Sequence, residues 1–192
     1  MVHLDSSRWV SGESEIRVFV GIPIGETFLK EVLRWKAFRD SGVGIRWVSE
    51  KYLHVTLLRP WYVKRSDLFG FCRGIRQVES HPFSVEFEMV TCGPRVRCPR
   101  LIWALGKASF EFKTLCTSVA QLFKQELPCQ PLEPHMTLGR FSKSVQFENW
   151  RSLRERVNWV LPVTCVVLYE SLLKSSGAEY IEIVRYPVVL PK

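Results

Sequence analysis

Apolar and polar positions change their spacing repeatedly along this chain, and each change marks a new element. Residues 16–22 are β-branched and aromatic and stop at Pro23, as a buried strand does. Residues 26–39 follow helical spacing through Phe28, Leu29, Val32, Leu33, Trp35 and Phe38, and 40–44 are turn residues. Strands are predicted at 45–48 and 53–58, the second ended by Pro60. A helix over 66–79 is interrupted by Gly70 and Gly74. Residues 83–90 alternate apolar and polar, the pattern of a half-exposed antiparallel strand. A basic loop, 94–100, leads to a strand at 101–105. Leu115, Val119, Leu122 and Phe123 define the clearest helix, 109–126, with Ser109 at its N-cap. Pro128, Pro131 and Pro134 stiffen the approach to a strand at 135–141. A helix at 147–158, a strand at 161–169 and a hairpin of 172–175 with 180–185 about Ser176-Gly177 complete the chain.

Strand, helix, strand, strand is the order in each half, which places the chain in the α+β class. The expected architecture is two similar lobes, each an antiparallel sheet with helices packed outside, and a cleft between the sheets. Residues 1–14 are polar and aperiodic and read as a flexible tail; 15–192 then form one bilobal domain. A single duplicated motif is not the periodic signature of a solenoid.

That duplicated motif carries the candidate chemistry. His54-Val55-Thr56-Leu57 and His135-Met136-Thr137-Leu138 both read His-apolar-Thr-apolar. On a strand, alternate side chains share a face, so each presents an imidazole and a hydroxyl together and buries its apolar neighbours. One His-x-Thr more often braces two strands than catalyses anything, but two copies in a chain with four histidines change that balance. His3 and His81 lack the threonine and read as surface residues. Two facing strands of this kind supply a base, an acid and hydroxyls for the non-bridging oxygens of a phosphate ester.

Composition narrows the setting. The formal net charge is +8, which favours a polyanionic partner. The six cysteines form no Cys-x-x-Cys pair and have no zinc spacing, so no metal and no cofactor are expected. No stretch has signal-peptide or membrane-span length; the expectation is a cytoplasmic monomer with reduced thiols and no membrane partner.

These residues resemble the two-histidine phosphoesterase superfamily, most closely its RNA 2′,3′-cyclic phosphodiesterase branch, long called 2′-5′ RNA ligases. The resemblance rests on 17–22, Arg46-Trp47-Val48, 99–104, the continuation of the second motif to Gly139-Arg140, and Glu170-Ser171, Gly177 and Tyr180. After the first motif the family continues Phe-Leu-Gly, whereas this chain has Leu58-Arg59-Pro60-Trp61, so the loop beside His54 is expected to have its own shape. The resemblance implies hydrolysis of RNA or nucleotide 2′,3′-cyclic phosphate ends to 2′-phosphomonoesters without metal. It assigns His135 as base and His54 as acid, or the reverse, with Thr56 and Thr137 donating to the phosphate.

Arg140 belongs to the same family pattern, yet three residues past Thr137 it falls on the opposite face of an ideal strand; its own length or a bend at Gly139 must bring it to the cleft. Arg59, Arg95, Arg97 and Arg100 are candidates for lining an RNA path, although a solvated surface charge is the commoner role of any one of them. Phe19 and Trp47 are candidates for stacking a base, against the commoner role of core aromatics. Two alternatives stand beside hydrolysis: ATP-independent 2′-5′ ligation of cleaved RNA ends at the same site, and a nucleotide- or RNA-end-binding module without turnover.

Overall fold

The computed structural model describes residues 14–39, 44–75, 81–95, 98–127, 132–142, 150, 153–175 and 177–188. The expected tail up to residue 13, the 40–43 turn, Arg97, Pro128, Pro131 and Ser176 lie outside them. In chain order the elements are β1 (Glu15–Pro23), α1 (Glu26–Ala37), β2 (Ile45–Trp47), β3 (His54–Lys64), α2 (Leu68–Gly74), β4 (Phe83–Gly93), β5 (Leu101–Gly106), α3 (Phe110–Leu122), β6 (His135–Phe141), β7 (Arg154–Val163), β8 (Cys165–Lys174) and β9 (Gly177–Pro187). They build two antiparallel sheets, ordered β3-β1-β8-β9 and β2-β6-β5-β4-β7.

The lobes are not the two halves of the chain. β2 leaves the first sheet for the edge of the second, and β8 and β9 return to the first, where β8 pairs with β1. β1 and β8 are central strands, which explains their near-continuous apolar runs. Helices cover the outer faces. Phe28 and Trp35 of α1 pack edge-on or tilted against Phe87 and Trp159 of the second sheet, while Trp61 of the first sheet meets Phe71 of α2 and Phe123 beyond α3. Ser109 caps α3 by accepting the Phe112 N–H at 3.2 Å.

Four expectations are corrected. The strand expected at 161–169 divides at Thr164: residues 161–163 end β7 in the second sheet, and 165–169 open β8 in the first. The helix placed at 147–158 gives way, from Arg154 on, to strand β7: Glu155, Val157, Trp159, Leu161 and Val163 alternate inward, a period of two that continues past the apparent helical spacing. Residues 143–149 and 151–152 lie outside the described residues. β3 runs through Pro60 to Lys64, because it is an outer strand and the missing N–H of Pro60 interrupts no ladder on that side. Over 66–79 the described α-helix covers only Leu68–Gly74, preceded by a 3₁₀ turn at Arg65–Asp67, with 76–80 undescribed. Among the described residues no helix is long and apolar enough to cross a membrane. Cys72, Cys92, Cys98, Cys116 and Cys165 carry free thiols, and Cys129 lies outside the described residues.

Candidate active site

β3 lies in the first sheet and β6 in the second, and their His-x-Thr faces line one open cleft of about 1060 Å³. The pattern of the two strands explains why. Val55 and Leu57, and likewise Met136 and Leu138, are buried in the core, which leaves His54, Thr56, His135 and Thr137 half-buried on the cleft side.

The two imidazoles are held in the same way. His54 Nδ1 lies 2.7 Å from the Tyr52 carbonyl, and His135 Nδ1 lies 3.2 Å from the Glu133 carbonyl. A carbonyl only accepts, so each Nδ1 carries a hydrogen and each Nε2 is left for a ligand. In both cases the acceptor is two residues back, at the entrance to the strand.

The environments of the two rings differ. His54 rests on Phe19, with centroids 4.8 Å apart, and Tyr180 stands perpendicular to it at 5.1 Å. Gly21 permits this: a Cβ there would lie 3.0 Å from the Val55 carbonyl oxygen and 3.3 Å from His54 Cδ2. The His54 pKa is lowered to about 4, chiefly by burial and against the raising effect of its Tyr52 hydrogen bond, with smaller lowering contributions from His135 and Arg140. His135 instead meets the edge of Trp103, 5.4 Å away on β5.

Arg140 reaches the cleft through a β-bulge. Ile102 pairs with Gly139 but Trp103 pairs with Thr137, so Leu138 is an extra residue. Alternation shifts by one, Leu138 and Gly139 are both buried, and Arg140 returns to the face of His135 and Thr137. β3 has the same bulge at Leu57, since Val20 pairs with Leu58 and Gly21 with Thr56. Arg59 therefore also lines the cleft, exposed.

The remaining candidates separate. Phe19 is 2% exposed, its ring covered by His54, Tyr169 and Tyr180, so it supports the histidine and leaves no face for a base. Trp47 lines the cleft, with Trp35 against its edge and the Lys36 ammonium over its ring. Arg100 and Arg95 do not line it; Arg100 is exposed where β5 begins, its main chain bonded to Gly93 and Phe141. Sequence reasoning missed Tyr52, Tyr180 and Trp103 as walls around the histidines; the signal for Tyr52 was its place two residues before His54. Among the described residues no three His, Cys, Asp or Glu side chains converge as metal ligands.

Two antiparallel sheets that offer paired His-x-Thr strands to a common cleft define the two-histidine phosphoesterase class. This chain belongs to the 2′-5′ RNA ligase superfamily, whose family model matches residues 28–177. An RNA 2′,3′-cyclic phosphodiesterase of Archaeoglobus fulgidus is 28% identical over 131 residues, 67% of this chain and 74% of that protein. The crystal structure of TT0787 of Thermus thermophilus superposes with a TM-score of 0.74 at 19% identity, covering 90% of this chain and 98% of its own. E. coli LigT complexed with 3′-AMP gives 0.71 at 20% identity, covering 91% and 99%. At these identities the two structures speak to the fold.

Proposed function

We propose that this protein hydrolyses RNA or nucleotide 2′,3′-cyclic phosphate ends to 2′-phosphomonoesters, with His54 and His135 as the acid–base pair and no metal. The observation that carries the reading is the matched setting of the two imidazoles: each is fixed through Nδ1 by a main-chain carbonyl and each lines the same cleft.

Hydrolysis of a cyclic phosphodiester needs a water deprotonated as it attacks phosphorus and O3′ protonated as its bond to phosphorus breaks. His135 takes the water proton and His54 gives a proton to O3′; the product carries the phosphate on O2′ and a free 3′-hydroxyl. Thr56 and Thr137 donate to the non-bridging oxygens, and Arg140 offsets the charge that develops there. His54 is neutral in the free protein at pH 7 because burial disfavours its charged form, and the Arg140 guanidinium adds to the effect. A phosphodiester anion entering between the rings brings the opposite charge, so His54 takes up its proton together with the substrate.

The test is product identity. Adenosine 2′,3′-cyclic phosphate incubated with the protein in EDTA yields 2′-AMP by ³¹P NMR, whereas 3′-AMP as product, or turnover that EDTA abolishes, contradicts the proposal. Supplying an RNA with a 5′-hydroxyl measures 2′-5′ joining, in which that hydroxyl replaces the attacking water and the two histidines keep the same roles.

A further inference from the structure

The motif duplication extends over six residues. His54-Val55-Thr56-Leu57-Leu58-Arg59 and His135-Met136-Thr137-Leu138-Gly139-Arg140 share histidine, threonine, leucine and arginine at the same places. Burial runs identically along both: half-buried, buried, half-buried, buried, buried, exposed. Both bulge at the leucine, and in both the bulge sends the arginine to the cleft face. Arg59 is therefore the counterpart, in the first sheet, of Arg140 in the second.

The two arginines serve different places. Arg140 lies on the face of His135 and Thr137 and its charge acts on His54, so Arg140 belongs with the histidines. Arg59 stands five residues beyond His54 along β3, and its neighbour across the ladder is β1. Pairing of Val20 with Leu58 and Val18 with Trp61 sets Arg59 opposite Phe19, two residues along β1 from Arg17, and both arginines line the cleft. Arg17 Nη1 donates to the buried Ser171 hydroxyl at 2.6 Å, which fixes its guanidinium without neutralising it. Among the described residues neither Arg17 nor Arg59 is paired with a carboxylate. Two unneutralised guanidiniums lining one cleft attract an anion, and their planar forks suit phosphate oxygens. The cleft, at about 1060 Å³, is also at the upper end of the range for a small-molecule pocket, so it has room beyond the reacting end.

We propose that Arg17 and Arg59 form a second phosphate site, which holds a phosphodiester flanking the reacting ribose. The substrate is then the end of an RNA chain in preference to a free nucleoside cyclic phosphate. This rests on the phosphodiesterase reading above and adds the residues that hold the chain beyond its reacting end. Arg59 serves binding of the chain, while Arg140 serves the reacting phosphate.

Equilibrium binding of product ligands tests this without requiring turnover. Wild type, Arg59→Ala and Arg59→Lys are titrated with 2′-AMP and with a trinucleotide RNA ending in a 2′-phosphate, at several salt concentrations. Wild type should bind the trinucleotide about tenfold more tightly than 2′-AMP, the difference that one charge-assisted phosphate contact makes. Arg59→Ala should lose most of that preference, and its salt dependence for the trinucleotide should become shallower by about 0.7 in log–log slope; Arg59→Lys should keep the slope. Equal wild-type affinity for the two ligands overturns the second site. So does an Arg59→Ala variant that loses the same factor on both, which would put Arg59 on the reacting phosphate. A wild type that binds neither ligand removes the phosphodiesterase reading, and this inference with it.

Discussion

The Phe19 ring lies 4.8 Å from the His54 imidazole and is tilted 41° to it, itself stacked on Tyr169 at 4.9 Å. A buried aromatic thus forms the floor under a catalytic candidate, and the carbonyl bond to Tyr52 fixes the ring's remaining rotation. Replacing Phe19 with leucine keeps an apolar side chain but removes the planar support. The expected result is a loss of about 1–2 kcal/mol in unfolding free energy and about a tenfold loss in kcat with KM little changed. A thermal melt and steady-state kinetics on a cyclic phosphate end check both.

The pKa of His54 should be about 4 in the free protein and should rise when phosphate or 2′-AMP binds. Histidine titration by NMR, assigned with His54→Gln, reads both values. The free-state value has a further consequence. Between the unfolded pKa, about 6.5, and the folded value near 4, the unfolded chain binds more protons than the native one. Stability therefore falls as pH drops through that window, by something of order 1–3 kcal/mol from this residue, and urea titrations of His54→Gln should show a flatter dependence. A bound-state pKa that stays near 4 would instead assign His54 as the base and His135 as the acid.

Gly93 holds Trp103 against the site. A Cβ at residue 93 would lie 2.3 Å from Trp103 Cζ2, and Trp103 in turn meets His135 edge-on at 5.4 Å. Gly93→Ala should cost about 1–3 kcal/mol of stability through overpacking and reduce kcat by displacing the indole. Gly70, inside α2, has nothing within 4 Å of its Cβ position. Gly70→Ala should therefore stabilise by about 0.5–1 kcal/mol and leave kcat alone. Chemical denaturation of the two variants gives opposite signs.

The strands that carry the candidate chemistry are legible in the sequence because their signal is local: His-x-Thr followed by leucine on a period of two needs no tertiary knowledge. The family resemblance adds Arg140 but not how it reaches the cleft, since an ideal strand puts it on the far face; the bulge at Leu138 comes from pairing with β5 and has no mark in β6 alone. The first motif is legible only as far as Thr56. Pro60 looks like a stop, and it is the outer position of β3 in its sheet that lets the strand continue and turn Arg59 inward. β7 is concealed for a similar reason: Trp150, Leu153 and Val157 fit a helix, and only the longer run to Val163 shows the sheet period. Phe19 reads as a core residue or a base-stacking one, and it is core, placed under His54 by a pairing in which Gly21 faces Thr56.

The most direct test of the two-histidine account is the turnover of a short RNA ending in a 2′,3′-cyclic phosphate, in EDTA, by wild type and by His54→Ala and His135→Ala. The account predicts that each substitution alone lowers kcat by about 10²–10⁴-fold while the proteins remain folded and still bind 2′-AMP. Wild-type rates in either variant would contradict it.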